Sequence, residues 1–192
     1  MPRHLASLRV PCSHVACVLL LALCPAGAHA DEPSSAPSTF SCDIQRSRQV
    51  DLTGAKEPQT LTASVKGDDC RAATFRITVT AKKGTILYVF THPWSDMSVF
   101  YDWTPEEVNA EAKRMFGYVL ELGVKPMPDG KTLKPVEENP GIIDEWRLVD
   151  LKRYEALRAQ GFPMLCHSTW YEGHVCVVYD RASRGFIPVI GT

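Results

Sequence analysis

An α+β fold, a single domain of mainly antiparallel β-sheet packed against one long and one short α-helix, is what this sequence predicts. Three observations carry that expectation. Several segments alternate apolar and polar residues with a period of two, two capped helical stretches are segregated from the runs of strands, and four cysteines beyond residue 30 can staple the domain twice.

The fold begins after the first thirty residues. MPRHLASLR carries Arg3 and Arg9 and no acid, VACVLLLALC (15–24) is a short apolar run, and PAGAHA ends in a small-x-small pattern. That is the form of a secretory signal peptide, residues 1–30, with cleavage between Ala30 and Asp31. The apolar run is too short for a stable membrane span, and Leu23 before Cys24 does not suit a lipid-attachment box. The expectation is a periplasmic or secreted chain, soluble and not membrane-inserted after cleavage. The Pro- and Ser-rich stretch 31–39, DEPSSAPST, reads as a flexible leader, and 40–192 as the domain.

Segment 40–50 is the first expected strand, and QTLTASVK (59–66) alternates Leu61, Ala63 and Val65 against polar residues. ATFRITVT (73–80) is the clearest, with Ala73, Phe75, Ile77 and Val79 on one face and Thr74, Arg76, Thr78 and Thr80 on the other. A turn at 81–84 leads to TILYVF (85–90), which is apolar on both faces and so is expected at the centre of the sheet. In 104–123, Thr104 and Glu107 form a capping box, Pro105 takes the first helical position, and Gly123 ends the helix. Val108, Ala112, Met115, Val119 and Leu122 make its apolar stripe, widened by Phe116 and Leu120. A Pro/Gly-rich loop (124–141) and a short strand (142–147) come next, then a helix over 151–160 capped by Asp150. Strands at 164–170 and 174–180 form a hairpin, and Pro188 marks 185–190 as an edge strand.

Removing residues 1–30 takes two basic residues and no acid, so the remaining chain is mildly acidic. With no basic block, nucleic acid and anionic lipid are poor partners. The seven cysteines reduce to Cys42, Cys70, Cys166 and Cys176. An even count in an oxidising compartment reads as two disulfides, and nearness along the chain favours Cys42–Cys70 and Cys166–Cys176 over the other two connectivities.

The stretch LCHSTWYEGHVCVVYD (165–180) gathers Cys166, His167, His174 and Cys176, the ligand types of structural zinc. Strand parity divides them. With Cys166 opposite Cys176, Ser168 faces His174, and His167 turns to the other side beside Leu165 and Val175. Oxidation also removes the thiols before a metal meets them. As a thiol active site, Cys166 with His174 lacks a helix N-terminus or C-x-x-C context to lower the thiol pKa. A disulfide-clipped hairpin presenting Trp170 and Tyr171 at its tip is the reading that satisfies both compartment and parity. If 171–173 forms the loop, however, Cys176 falls opposite Ser168, so opposed cysteines require a different loop.

A second aromatic stretch, VFTHPWSDMSVFYDW (89–103), admits two readings. Its rings fill the end of the core, or His92, Trp94 and Asp96 line a recognition surface. No G-x-S-x-G, H-E-x-x-H, P-loop or Rossmann glycine pattern occurs, the paired acids Glu106-Glu107 and Glu137-Glu138 read as helix start and solvated loop, and no cofactor or metal is implied. The expected function is a non-catalytic exported binding or inhibitor-type module. It would contact an envelope protein or glycan through His92, Trp94, Asp96, Trp170, Tyr171 and His174 on loops 91–103 and 170–174. The alternative is a small periplasmic hydrolase or thiol/metal-dependent enzyme using His92, His167, His174 or Cys166.

Overall fold

In a computed structural model that describes residues 40–55, 57–97, 104–138, 144–170 and 173–192, the first alternating segments form an antiparallel meander. Strands β1 (Cys42–Val50), β2 (Gln59–Gly67), β3 (Thr74–Thr80) and β4 (Ile86–Pro93) pair in sequence order. The period of two does what it predicts. Leu61, Ala63, Val65, Phe75, Ile77 and Val79 are buried on the inner face, while the wet face is laced by side-chain bonds such as Ser47–Thr62 (2.8 Å) and Gln49–Thr60 (3.0 Å).

Helix α1 (Pro105–Gly117) begins with the expected capping box. The Thr104 hydroxyl accepts from the Glu107 N–H (3.3 Å), and the Glu107 carboxylate accepts from the Thr104 N–H (2.7 Å). Those bonds hold the Glu107 carboxyl below its ordinary pKa. Val108, Ala112, Met115 and Phe116 pack into the core of the meander. The chain then continues as a π-helical turn, Tyr118–Leu122, closed by the Gly123 N–H on the Tyr118 carbonyl (2.7 Å). The wider turn rotates the end of the helix, so Val119 stays buried while Leu122, expected on the apolar stripe, is 67% exposed. Position 123 requires glycine because the backbone of Cys166 passes over it: a Cβ there would strike the Cys166 and Val119 carbonyl oxygens.

A second sheet is built from β5 (Val124–Lys125), β6 (Lys134–Pro135), β7 (Trp146–Arg147), β8 (Met164–Ser168), β9 (His174–Asp180) and β10 (Gly185–Gly191), in the order β5-β8-β9-β10-β7-β6. Every pairing is antiparallel except β6 with β7. Helix α2 (Leu151–Arg158) is capped by Asp150, whose carboxylate accepts from the Arg153 N–H (2.8 Å). The sheet has two buried faces. Leu165 and Val177 join the core of the meander and α1, whereas Met164, Cys166, Cys176, Val178 and Ile190 pack with Tyr154 and Leu157 of α2. The fold is α+β, with bridges Cys42–Cys70 and Cys166–Cys176, one in each core cluster.

Three sequence expectations are corrected. Strand β4 is the last of its sheet rather than central. Its apolar character arises because Tyr88 and Phe90 lie over the second sheet, while Ile86 and Val89 are exposed. Strand β10 is interior, paired with β9 and β7, rather than an edge. Pro188 is tolerated because the β7 pairing involves only Ile190 and Gly191, beyond a bulge that begins at Pro188. Segment 124–141 holds β5 and β6, and within 142–147 only Trp146–Arg147 forms a strand among the described residues.

Candidate functional site

The β8–β9 hairpin is built by register. Cys166 faces Cys176, His167 faces Val175 and Ser168 faces His174. The Thr169 N–H donates to the Gly173 carbonyl (2.9 Å), so the arms close one residue earlier than in the register that would have misaligned the cysteines. At this tip Trp170 is 45% exposed. Its indole lies against Gly173, where a Cβ would collide with it. Tyr171 lies outside the described residues, as do Phe100, Tyr101 and Trp103.

The three histidines among the described residues take different places. His167 is fully buried. Its Nδ1 faces the Ser168 carbonyl at 2.9 Å, which can only accept, so Nδ1 carries the proton. Nε2 therefore accepts from the Tyr88 hydroxyl at 2.6 Å. Burial pushes the His167 pKa down to about 4 and that of Tyr88 up to about 12. Both ring nitrogens are engaged and sealed by the rings of Phe90 (4.4 Å) and Tyr88 (5.7 Å), so this neutral imidazole has no surface from which to serve as base or ligand.

His92 also meets Phe90, ring to ring at 6.0 Å, and its Nδ1 is 3.6 Å from the exposed Asp96 carboxylate. Phe90 thus links His92 and Asp96 to the end of β8, which leads directly into the Trp170 tip. His174, on the opposite parity of β9 from Val175, points elsewhere. Its Nε2 is 3.1 Å from Glu145 and its Nδ1 3.3 Å from the Thr192 hydroxyl, while its backbone exchanges bonds with Thr192. These contacts fasten the end of β10 and the approach to β7 around the hairpin. The three histidines therefore do not converge.

Trp94 does not belong to an exposed surface. It is 2% exposed, packs on Phe75 (ring centroids 6.1 Å) and donates its backbone N–H to the Ala73 carbonyl (2.8 Å). The short 3₁₀ turn Trp94–Met97 folds the indole back under β3, so its large apolar area serves the core while Ser95 and Asp96 face water. The thiol reading also fails, because Cys166 is bridged and fully buried. Among the described residues no group of three or more His, Cys, Asp and Glu is placed to hold a metal ion.

Two polar arrangements were not read from the sequence. Asp180, buried at the end of β9, accepts from Arg153 (2.9 Å), Gln160 (3.1 Å) and the N–H groups of Ala182 (3.3 Å) and Ser183 (3.0 Å). Desolvation works to raise its pKa, but the bonds from Gln160, Ser183 and Ala182 prevail and hold it far below the carboxylate range. An Asp immediately before an RASRG turn is the signal that could have revealed this anchor. On β1, Arg46 and Arg48 share the parity of the inward-facing Ile44, a pattern that strict alternation over 42–50 would have exposed. Comparison of the chain with protein-family models, with curated proteins and with solved structures finds no match.

Proposed function

We propose that this chain is an exported, non-catalytic binding or inhibitor-type module. In this reading its contact surface lies at the end carrying Trp170, His92 and Asp96. The observation that carries the reading is the solvent-presented Trp170 on a hairpin clipped by Cys166–Cys176, tied through His167 and Phe90 to His92. A disulfide-clipped hairpin loses less conformational entropy on binding than an unclipped one, and an exposed indole offers large apolar area with one polar end. Two buried disulfides suit an oxidising, extracellular compartment, which agrees with the signal-peptide pattern of residues 1–30. Among the described residues no helix is long and apolar enough to cross a membrane.

The partner classes are an envelope protein or a glycan. The test is a pull-down of envelope proteins and a glycan array, each with wild type and with Trp170→Ala. The reading expects one reproducible partner whose capture falls at least about tenfold in Trp170→Ala, with the thermal midpoint unchanged. Equal capture by both proteins, or no partner in either format, contradicts it.

A further inference from the structure

On the opposite edge of the meander from β4, β1 and the end of α1 enclose an open groove of about 340 Å³, lined by Arg46, Ser47, Arg48, Phe116, Leu120 and Glu121. Three of its properties, two from β1 and one from the end of α1, bear on what it could hold. As the first strand of its sheet, β1 has a ladder partner on one side only among the described residues, leaving a row of backbone donors and acceptors along the groove. Phe116 and Leu120, both buried, give the groove an apolar floor. Arg46, exposed, and Arg48, half-buried, share one parity of β1, two residues apart, opposite Ala63 and Leu61.

Neither arginine has a hydrogen-bond or ion-pair partner among the described residues, although Glu121 lines the same groove. The Nε of Arg48 is buried with no acceptor among the described residues. Inward-pointing charges on an edge strand also guard against unwanted pairing. A guarding charge works by staying hydrated, however, whereas a buried donor without an acceptor costs roughly 1–3 kcal/mol. A planar guanidinium in that position matches a carboxylate, which can take two of its N–H groups at once.

We propose that this groove binds an extended peptide segment carrying a carboxylate, its backbone pairing with the free edge of β1 and its acid received by Arg48 and Arg46. A small inorganic anion would engage only the arginines, and a fatty acid would leave the strand edge unpaired. An acidic β-strand uses all three features. This surface is separate from the Trp170 tip, so it stands or falls independently of it.

The test uses the full chain and a fluorescein-labelled eight-residue peptide of alternating valine and threonine with a central leucine-glutamate pair. A counterpart carries glutamine in place of the glutamate. Fluorescence anisotropy is expected to show saturable binding of the acidic peptide and about tenfold weaker binding of its neutral counterpart. Arg48→Gln is expected to erase that preference, and Arg46→Gln to reduce it. Both positions lie on an edge strand, and thermal melts confirm that the variants fold. Equal binding of the two peptides, no saturable binding of either, or an unchanged preference in Arg48→Gln overturns the proposal. If the double variant self-associates while wild type binds no peptide, the arginines guard the edge and the proposal is likewise overturned.

Discussion

Tyr88 and His167 show how one buried pair fixes both a tautomer and a pH response. The Ser168 carbonyl assigns the proton to Nδ1, and Tyr88 supplies the only donor that Nε2 has among the described residues. The folded pKa of His167, about 4, lies below its unfolded value of about 6.5. Between these values the unfolded chain binds the extra proton, so stability is fully present above pH 6.5 and is lost as pH falls toward 4. The loss amounts to roughly 3 kcal/mol. Urea unfolding across pH 4–7.5 is expected to show that slope in wild type and to show it flattened in His167→Gln. Tyr88→Phe leaves Nε2 buried without its donor and is expected to cost about 1–3 kcal/mol at pH 7.5 by the same measurement. At the tip, Gly173→Ala displaces the Trp170 indole, and near-ultraviolet circular dichroism is expected to change while the far-ultraviolet spectrum does not.

At the scale of elements, Asp180 ties α2 to the β9–β10 turn through four hydrogen bonds. Asp180→Ala strands those donors and is expected to lower stability by about 2–4 kcal/mol, read from urea unfolding at neutral pH. Its depressed pKa adds a separate acid dependence: the stabilisation is present above the unfolded carboxylate pKa and is lost as pH falls below it. The elements themselves were legible where local chemistry decides them. The alternation of 73–80, the Thr104–Glu107 box and the Asp150 cap each specify a strand or a helix start without outside help. Features that tertiary contact decides were not legible. Strand β4 is apolar on both faces because one face meets the second sheet, and nothing within 85–90 says which neighbour that is. Leu122 left the stripe because of a π turn, and Trp94 turned inward because a 3₁₀ turn comes directly after Pro93. Of the proposed tip, Trp170 could be placed from the opposed cysteines, which set the register that the turn residues alone misplace by one, whereas the link from His92 through Phe90 to His167 spans two sheets and leaves no trace in spacing.

Among the described residues the domain is arranged around two core clusters, one beneath the meander and α1, one between the second sheet and α2, each holding a disulfide. The bridges span sequence separations of 28 and 10 residues. Chain-entropy arguments assign about 3.6 kcal/mol to the longer loop and about 2.7 kcal/mol to the shorter. Reduction under native conditions is therefore expected to lower the thermal midpoint, and Cys42→Ala/Cys70→Ala to lower it more than Cys166→Ala/Cys176→Ala. The clipped hairpin carries Trp170, its strand β8 meets His92 through His167 and Phe90, and from this arrangement a binding function is proposed. Its most direct test is site-specific photo-crosslinking in the producing cells, with a benzoylphenylalanine placed at position 170 or, as a control at the far end of β9, at position 183. A discrete adduct from position 170 and none from 183 is the predicted result; no adduct from 170, or the same adducts from both, contradicts the account.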